Sequence, residues 1–312
     1  LITGAAGNLG GLLTRHLLGG PHQLRLMTYR RDLPAEILSH PGVLAYRADL
    51  GDIQTLYEPC DGADCIVHFA GRLFAPRPEG FLHHTNVEYV ENLVSVALTS
   101  GVRKFILISF PHVEGETTPQ NPARGILTGW PGSLHARTRL KAERFLFKAT
   151  EGSRMTPVSL RPGMIYGKGV LMIEAARRLL RRRLLGVWRK DTWIHIISLP
   201  DFLRCVEAAI EGDNVTGIYN LGDERPLTLQ EFLDRVARHW GYRKPWRAPA
   251  WTFYFAAACV EAYAAVFQTP SPLTRDFIKI GMASYVSDTS RMRNELLPEL
   301  LYPSLDEGIG LN

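Results

Sequence analysis

The sequence predicts an α/β fold: a doubly wound parallel sheet followed by a smaller, mostly helical C-terminal part. Three observations carry this. Short apolar runs alternate with helix-length segments over the first half of the chain, the rhythm of βαβ units with right-handed crossovers. A glycine-rich turn from Gly4 to Gly10 joins the first apolar run to the first amphipathic segment. Beyond residue 165 helical spacing dominates, and only short apolar runs near 193–197 and 217–220 interrupt it.

Residues 1–3 read as a strand end, and apolar spacing over 10–18 reads as a helix stopped by Gly19, Gly20 and Pro21. Strands are expected at 24–28, 43–46 and 65–69, then a helix over 87–99 closed by Gly101. The continuous run at 104–109 predicts a strand buried on both faces. A helix over 135–150 and a strand at 157–160 complete the first half. Helices are then expected at 171–184, 201–211, 228–240, 250–267 and 272–281.

Composition narrows the class. With 312 residues, 46% hydrophobic and 21% charged, the chain is neither disordered, collagen-like nor coiled-coil. A chain of this length buries a core without disulfides or metal. Its four cysteines (Cys60, Cys65, Cys205 and Cys259) form no C-x-x-C pair. They read as small buried hydrophobes in a reducing compartment, so no metal site and a cytoplasmic location are expected, with a membrane-peripheral one as the alternative. The chain begins at Leu1, already inside a pattern, so a missing N-terminal piece is expected.

The formal charge of +5 is local: Arg177–Lys190 holds seven cations and no acid, and outside it 29 cations face 31 acids. A nucleic-acid partner is therefore not expected. Three readings of the cluster stand open. It is a solvated helix face with Leu179, Leu180, Leu184 and Leu185 turned inward, an anion site for a phosphate-bearing substrate, or a membrane-surface or nucleic-acid patch. The segment 250–268 carries Glu261 as its single charge. It reads as a buried substrate-domain helix or as a membrane attachment; a full span is disfavoured by Glu261. The cluster hints at an anionic small-molecule substrate, the apolar segment at a hydrophobic one.

The glycine turn carries the chemistry. Gly4 permits the tight turn, Gly7 lets backbone approach a pyrophosphate, and Gly10 lets the helix pack close to the strand. Ala6, Asn8 and Leu9 complete a loop whose amides open a helix N-terminus, where phosphates bind. The expected domains are a Rossmann-type dinucleotide-binding unit over 1–165 and a substrate-binding unit over 166–312, with some segments returning to the first. After the second strand, Arg30 and Arg31 precede Asp32. Arginine there suits a 2′-phosphate, so NADP is the expected cofactor, with NAD as the alternative if Asp32 reads the ribose.

The chain resembles the extended short-chain dehydrogenase/reductases, the group of NAD-dependent epimerases, dehydratases and hydroxysteroid-dehydrogenase-like reductases. The resemblance runs over nearly the whole length. It rests on T-G-x-x-G-x-x-G at 3–10, Ala48-Asp49-Leu50, His68-Phe69-Ala70-Gly71, Asn86-Val87, the segment Arg161-Pro162 through Met164 and Tyr166-Gly167, and Ile194-His195 through Asp201. It implies that Asp49 and Leu50 approach the adenine, that Phe69, Ala70 and Gly71 pass under the cofactor, and that Asn86, Pro162 and Met164 line the cleft. A homodimer is a further implication.

One departure bears on mechanism. Members resembling this chain carry a Ser, a Tyr and a Lys in the pattern S…Y-x-x-x-K, where the Tyr hydroxyl moves the proton and the Lys lowers its pKa and holds the ribose. The corresponding helix here reads Ser133 through Arg144, with His135 at the Tyr position and Arg139 at the Lys position. On the preceding strand Phe110 takes the Ser position, and Glu114 stands where a Tyr precedes Gly115. Two readings follow. In one, His135 is a general acid/base with a pKa near 6.5, Arg139 holds the ribose, and Glu114 or His112 assists. In the other, the chain is a catalytically inactive NAD(P)-binding sensor or regulatory protein.

Overall fold

The computed structural model describes residues 1–71, 78–267 and 274–312. Strands β1 (Ile2–Thr3), β2 (Leu24–Thr28), β3 (Val43–Arg47), β4 (Cys65–His68), β5 (Lys104–Ile108) and β6 (Thr156–Pro162) alternate with helices. The helices between them are α1 (Asn8–Leu17), α2 (Ala35–Leu38), α3 (Tyr57–Cys60), α4 (Tyr89–Thr99) and α5 (Leu134–Ala149). With Gly217–Leu221, which returns from the C-terminal half, they form a seven-stranded sheet ordered from that strand through β6, β5, β4, β1, β2 and β3. Every neighbouring pair is parallel. The strand order reverses between β1 and β4, and such a reversal opens a crevice at the carboxyl ends of the strands.

Strand β5 shows why the sheet is covered twice. All five of its residues are buried. Ile106 and Ile108 join one apolar layer with Leu13 of α1. Phe105 and Leu107 join the other with Leu93 of α4 and Leu146 of α5. Alternate side chains leave a strand on opposite faces, so an unbroken apolar run needs a helical layer on each side. Each such burial contributes about 1.5–3 kcal/mol.

Beyond β6 come β7 (Met164–Tyr166), α6 (Leu171–Arg181), β8 (Gly186–Trp188), β9 (Trp193–Ile194), β10 (Ile196–Ser198), α7 (Leu199–Glu211), β11 (Gly217–Leu221), β12 (Leu227–Thr228) and α8 (Leu229–His239). They are followed by β13 (Trp246–Ala248), α9 (Ala250–Phe267), α10 (Arg275–Met282), α11 (Ser290–Glu295) and α12 (Leu305–Gly308). Three two-stranded pairs organise this half: β7 with β10, β9 with β12, and β8 with β13. Gly163 allows the first of them, since a Cβ there would lie 2.4 Å from the His195 carbonyl oxygen.

A buried charge network holds the segment between β5 and α5. Arg161 is fully buried and reaches Glu143 at 3.0 and 2.5 Å and Glu114 at 2.5 Å. The Glu114 carboxylate also accepts the backbone amides of Arg124, Gly125 and Ile126. Glu114 is therefore saturated as a loop anchor and is not free to assist a reaction.

Several expectations are corrected. Leu180 faces inward, but Leu179, its neighbour on α6 and so turned off the buried face, is 39% exposed, and Leu184, beyond the helix end at Arg181, is 60% exposed. Cys259 is exposed on α9 rather than buried. Among the described residues no helix is long and apolar enough to cross a membrane. The helix expected at 272–281 is seen from Arg275; its first positions, and Gln268 of the apolar segment, lie outside the described residues.

Candidate active site

The glycine turn sits at the strand-order reversal. Gly4 has φ +69°, a left-handed conformation open to glycine. The amide of Gly7 donates to the Gly4 carbonyl at 2.8 Å, closing the turn. A Cβ on Gly10 would lie 2.4 Å from that same carbonyl oxygen, so α1 can pack this close only without one. Gly7 caps α1 with no side-chain bond to the first amides, leaving the N-terminal N–H groups for an anion. Ala6 and Leu9 are half-buried beside the turn. Asn8 does something else: its side chain donates to the Gly169 carbonyl at 2.7 Å and accepts the Leu171 amide at 2.8 Å. It ties the turn to the start of α6.

Across the crevice, β4 ends in His68, buried, with Nδ1 2.9 Å from Thr3 Oγ1. Thr3 Oγ1 also accepts the Ala70 amide at 3.3 Å. Thr3 thus sets the path of Phe69, Ala70 and Gly71, a role that the sequence reading missed. Phe69 packs edge-on against Phe202 at 6.4 Å. Gly71 lies against Arg139: a Cβ there would be 2.7 Å from Nη2.

Asn86 sits in a π-helical turn, His84–Glu88, ahead of α4, and such turns recur at functional sites. Its side-chain amide donates to Thr138 Oγ1 at 2.9 Å and lies 3.5 Å from His135 Nδ1. His135, Thr138 and Arg139 are i, i+3 and i+4 on α5, so one helix face presents all three. Ser133 caps α5 through the Ala136 amide, and Asp276 of α10 accepts the Leu134 amide at 3.3 Å. Phe110 meets His135 edge-on at 5.0 Å and stacks on His112 at 4.8 Å. His112 is bound to the Ala283 carbonyl at 3.2 Å and packs on Tyr285 at 4.4 Å. The structure thus brings together the glycine turn, the end of β4, Asn86, His135 and Arg139.

Other predicted residues lie at the rim. Pro162 is buried and Met164 half-buried where β6 passes into β7. Asp49 is half-buried and accepts the Gly51 amide at 2.8 Å, and Leu50 is buried beside it. Arg30 and Arg31 are exposed, with the Arg30 guanidinium 4.9 Å from the Tyr29 ring centre. Asp32 pairs with Arg47 of β3. His195 stays structural, its ring 2.8 Å from the Asp223 carbonyl and accepting the Ser287 amide at 3.2 Å. His83 and His84 both contact Glu88.

Burial decides the electrostatics. It pushes His135 down to about 3, with Arg139 and His112 adding to the effect. The imidazole is neutral at pH 7, which corrects the expectation of an acid/base near 6.5. Burial also lowers His68 to about 3 and His112 and His195 to about 4. Arg139 is lowered to about 10 by burial, partly offset by Glu143, and remains a cation.

The four histidines give a pH prediction. Unfolded, each takes a proton near pH 6.5; folded, each refuses it until about 3 or 4. Stability is therefore lost as pH falls from 6.5, by about 2 kcal/mol per histidine at pH 5. Burial raises Asp223 to about 8, and that group works in the opposite direction. Burial raises Asp276 as well, and the four rings outweigh these two carboxyls, so the urea midpoint should fall between pH 7.5 and 5. A midpoint that rises over this range would show that these rings are not held neutral.

Comparison with known proteins completes the picture. The profile of the NAD dependent epimerase/dehydratase family matches residues 1–222. The chain belongs to this family. It is 28% identical to a 2-alkyl-3-oxoalkanoate reductase of Stenotrophomonas maltophilia, over 76% of this chain and 74% of that one. It is 32% identical to the low-salt glycan biosynthesis protein Agl12 of Haloferax volcanii, over 76% of this chain and 80% of that one. A 3 beta-hydroxysteroid dehydrogenase/Delta 5-->4-isomerase of Mycobacterium tuberculosis is 25% identical over 78% and 70%. In fold it matches the UDP-glucose 4-epimerase of Thermotoga maritima, at TM-score 0.78 and 18% identity, over 99% and 96% of the two chains.

The residues of this epimerase/dehydratase-family chain fit a nicotinamide dinucleotide. A Cβ on Gly7 or Gly10 would strike the Gly4 carbonyl oxygen, so the turn is tight only without them, and the first amides of α1 carry no side-chain cap. Among the described residues, Asn86 Oδ1 and Arg139 Nη1 are enclosed without a hydrogen-bond partner. Unpartnered buried polar atoms are costly, and a polar ligand satisfies them.

Proposed function

We propose that this chain is an NADP-dependent oxidoreductase acting on the hydroxyl or carbonyl of an apolar small molecule. The observation that carries the reading is Arg139 Nη1, buried and without a hydrogen-bond partner among the described residues, one helical turn from His135. A buried cation whose nearest acid, Glu143, offsets it only in part is unfavourable in the free chain, and a ribose with its neighbouring phosphates would relieve it. NADP rather than NAD is supported by two exposed arginines after β2 and by the engagement of Asp32 with Arg47. An apolar substrate is supported by Phe110, which meets His135 edge-on. The named substrates of the 2-alkyl-3-oxoalkanoate reductase and the steroid dehydrogenase among its relatives agree.

When bound, the nicotinamide supplies or accepts the hydride. The chain's own residues hold and polarise. Asn86 Nδ2 lies 3.5 Å from His135 Nδ1, and in the tautomer in which Nδ1 accepts, the ring proton is on Nε2. That N–H then donates to the substrate oxygen. A neutral imidazole acts here as an electrophile, which lets it replace the hydrogen bond of a tyrosine without titrating near neutrality. Arg139 holds the ribose with a permanent charge, and Thr138 fixes Asn86.

Calorimetric titration and turnover with a panel of apolar ketones test this. NADPH should bind at least tenfold tighter than NADH, and Arg30→Ala with Arg31→Ala should erase that preference, since charge-assisted bonds contribute about 1.5–3 kcal/mol each. His135→Ala should lower kcat by about 100-fold, as expected on removing one oxyanion donor. The wild-type profile should show no break near pH 6.5. A specific feature favours a second reading: Phe110 meets His135 edge-on, and among the described residues Ser109 Oγ is enclosed without a partner. Tight NADPH binding without turnover on any substrate would favour a redox-sensing role and overturn the enzymatic one.

A further inference from the structure

The basic cluster at 177–190 and the apolar helix α9 take no part in the site described above, and the fold places them side by side. Strands β8 and β13 pair in parallel, with Gly186 opposite Trp246 and Trp188 opposite Ala248. The Arg189 amide donates to the Ala248 carbonyl at 3.1 Å. The cluster on either side of β8 therefore flanks the segment that leads into α9.

Among the described residues, one apolar face of helix α9 has no partner. Trp251 and Phe255 are each 67% exposed, Tyr263 and Phe267 60%, and Val266 74%. These positions recur with helical spacing, and the remaining exposed positions of α9 among those described are Ala256, Cys259 and Ala262. From Trp251 to Phe267 the face is about 24 Å long at 1.5 Å per residue. The opposite side is the packed one: Ala257 and Ala264 are buried, and Phe253 sits between Trp246, stacked at 5.4 Å, and Trp188, edge-on at 5.9 Å. Glu261, the single charge of α9, is neutralised by Arg275 at 2.6 Å. Monomeric proteins rarely leave such a contiguous apolar face uncovered unless it meets a partner or a membrane.

Charge selects the occupant. Arg181, Arg182, Arg183, Arg189 and Lys190 are all exposed, as is Leu184 between them. A second copy docking through the same face would set one basic cluster against another. A bilayer carrying anionic headgroups complements the cations while its acyl boundary takes the aromatics. We propose that α9 and the 181–190 segment form a peripheral docking surface for an anionic lipid bilayer. The helix lies in the interface plane with Trp251, Phe255, Tyr263 and Phe267 at headgroup depth, as amphipathic aromatics do, and the arginines contact lipid phosphates. The surface reaches the active site through α10, which packs on α9 and whose Asp276 holds the N-terminus of α5.

Vesicle co-sedimentation of the chain, without cofactor or substrate, tests this separately from the oxidoreductase reading. Vesicles of phosphatidylcholine with about one third phosphatidylglycerol should bind the chain at least tenfold better than phosphatidylcholine alone, and the difference should shrink as salt is raised. Trp251→Glu with Phe255→Glu should abolish recovery. Arg182→Glu with Lys190→Glu should lower it by more than about tenfold, since each cation near an anionic surface contributes about fivefold. Both pairs lie on the exterior, so an unchanged thermal midpoint is expected; if either pair unfolds, the salt and headgroup dependence of the wild-type chain still decides. Equal recovery on neutral and anionic vesicles, no recovery on either, or wild-type recovery by the folded Trp251→Glu pair overturns the proposal. So does a lipid-free dimer in analytical ultracentrifugation that the same pair dissociates, since the face then belongs to a second copy.

Discussion

Arg139→Met is expected to weaken nicotinamide dinucleotide binding by about 10- to 100-fold while leaving the ligand-free chain at least as stable as the wild type. The two halves of this result have one cause. Among the described residues Arg139 Nη1 is enclosed with no hydrogen-bond partner, and its nearest acid on the helix, Glu143, is already engaged by Arg161 and Ser159. Replacing a poorly compensated buried charge by an apolar side chain is neutral or stabilising. The same replacement removes a charge-assisted bond to the cofactor, worth about 1.5–3 kcal/mol. Titration calorimetry reads the affinity, and thermal melts with and without NADP(H) read the stability. Wild type at 100 times Kd should gain about 2.7 kcal/mol from ligand, and the variant much less at the same concentration. Arg139→Lys should restore part of the affinity, because it keeps the charge but loses the planar fork. Unchanged affinity in Arg139→Met would remove this residue from the cofactor site.

Glu143→Ala is expected to cost about 3–5 kcal/mol of stability, the penalty for breaking a buried ion pair and leaving its partner. Arg161 is fully buried and would keep only Glu114 and the Ile126 carbonyl. Ser159 Oγ would lose its acceptor as well. Against a total of about 5–15 kcal/mol for a folded domain, this is a large share. Urea unfolding reads it as a lower midpoint. Glu143→Gln should fall between wild type and Ala, since the amide oxygen still accepts while the charge is gone. A loss under 1 kcal/mol in Glu143→Ala would mean that the network does not hold the 124–126 loop against the sheet.

Much of the architecture was legible because its causes are local. The run at 104–108 is apolar at every position outside its first, and only a strand covered on both faces uses such a run, so β5 and its two helical layers follow together. The glycine turn was legible because Gly4, Gly7 and Gly10 each answer a local steric demand. The short strands β8 and β13 were not legible. They are three residues each and are held by one another across some sixty positions of chain rather than by their own patterning.

At the site, sequence spacing placed His135 and Arg139 one turn apart, but it assigned His135 its solution pKa. Desolvation by Phe110 and the surrounding walls, added to the Arg139 charge, is a tertiary effect and holds the ring neutral. Glu114 looked available in sequence because its ligands, Arg161 and three amides of the 124–126 loop, are distant or carry no side-chain signature. Thr3 was missed for a similar reason: a threonine on a buried strand carries no mark of the amide that it accepts 67 residues away. Thr138 could have been found, since it shares the i, i+3, i+4 face with its two neighbours.

By itself the sequence determined the alternation of strands and helices, the anion-binding turn and the helix face that carries the imidazole and the guanidinium, because periodicity and backbone sterics act over a few residues. Only the tertiary structure decided which charges are paired, which ring is neutral, and that a basic segment and an apolar helix share one surface. Those outcomes depend on solvent exclusion and on long-range pairing, which bring together groups that no short window of sequence contains.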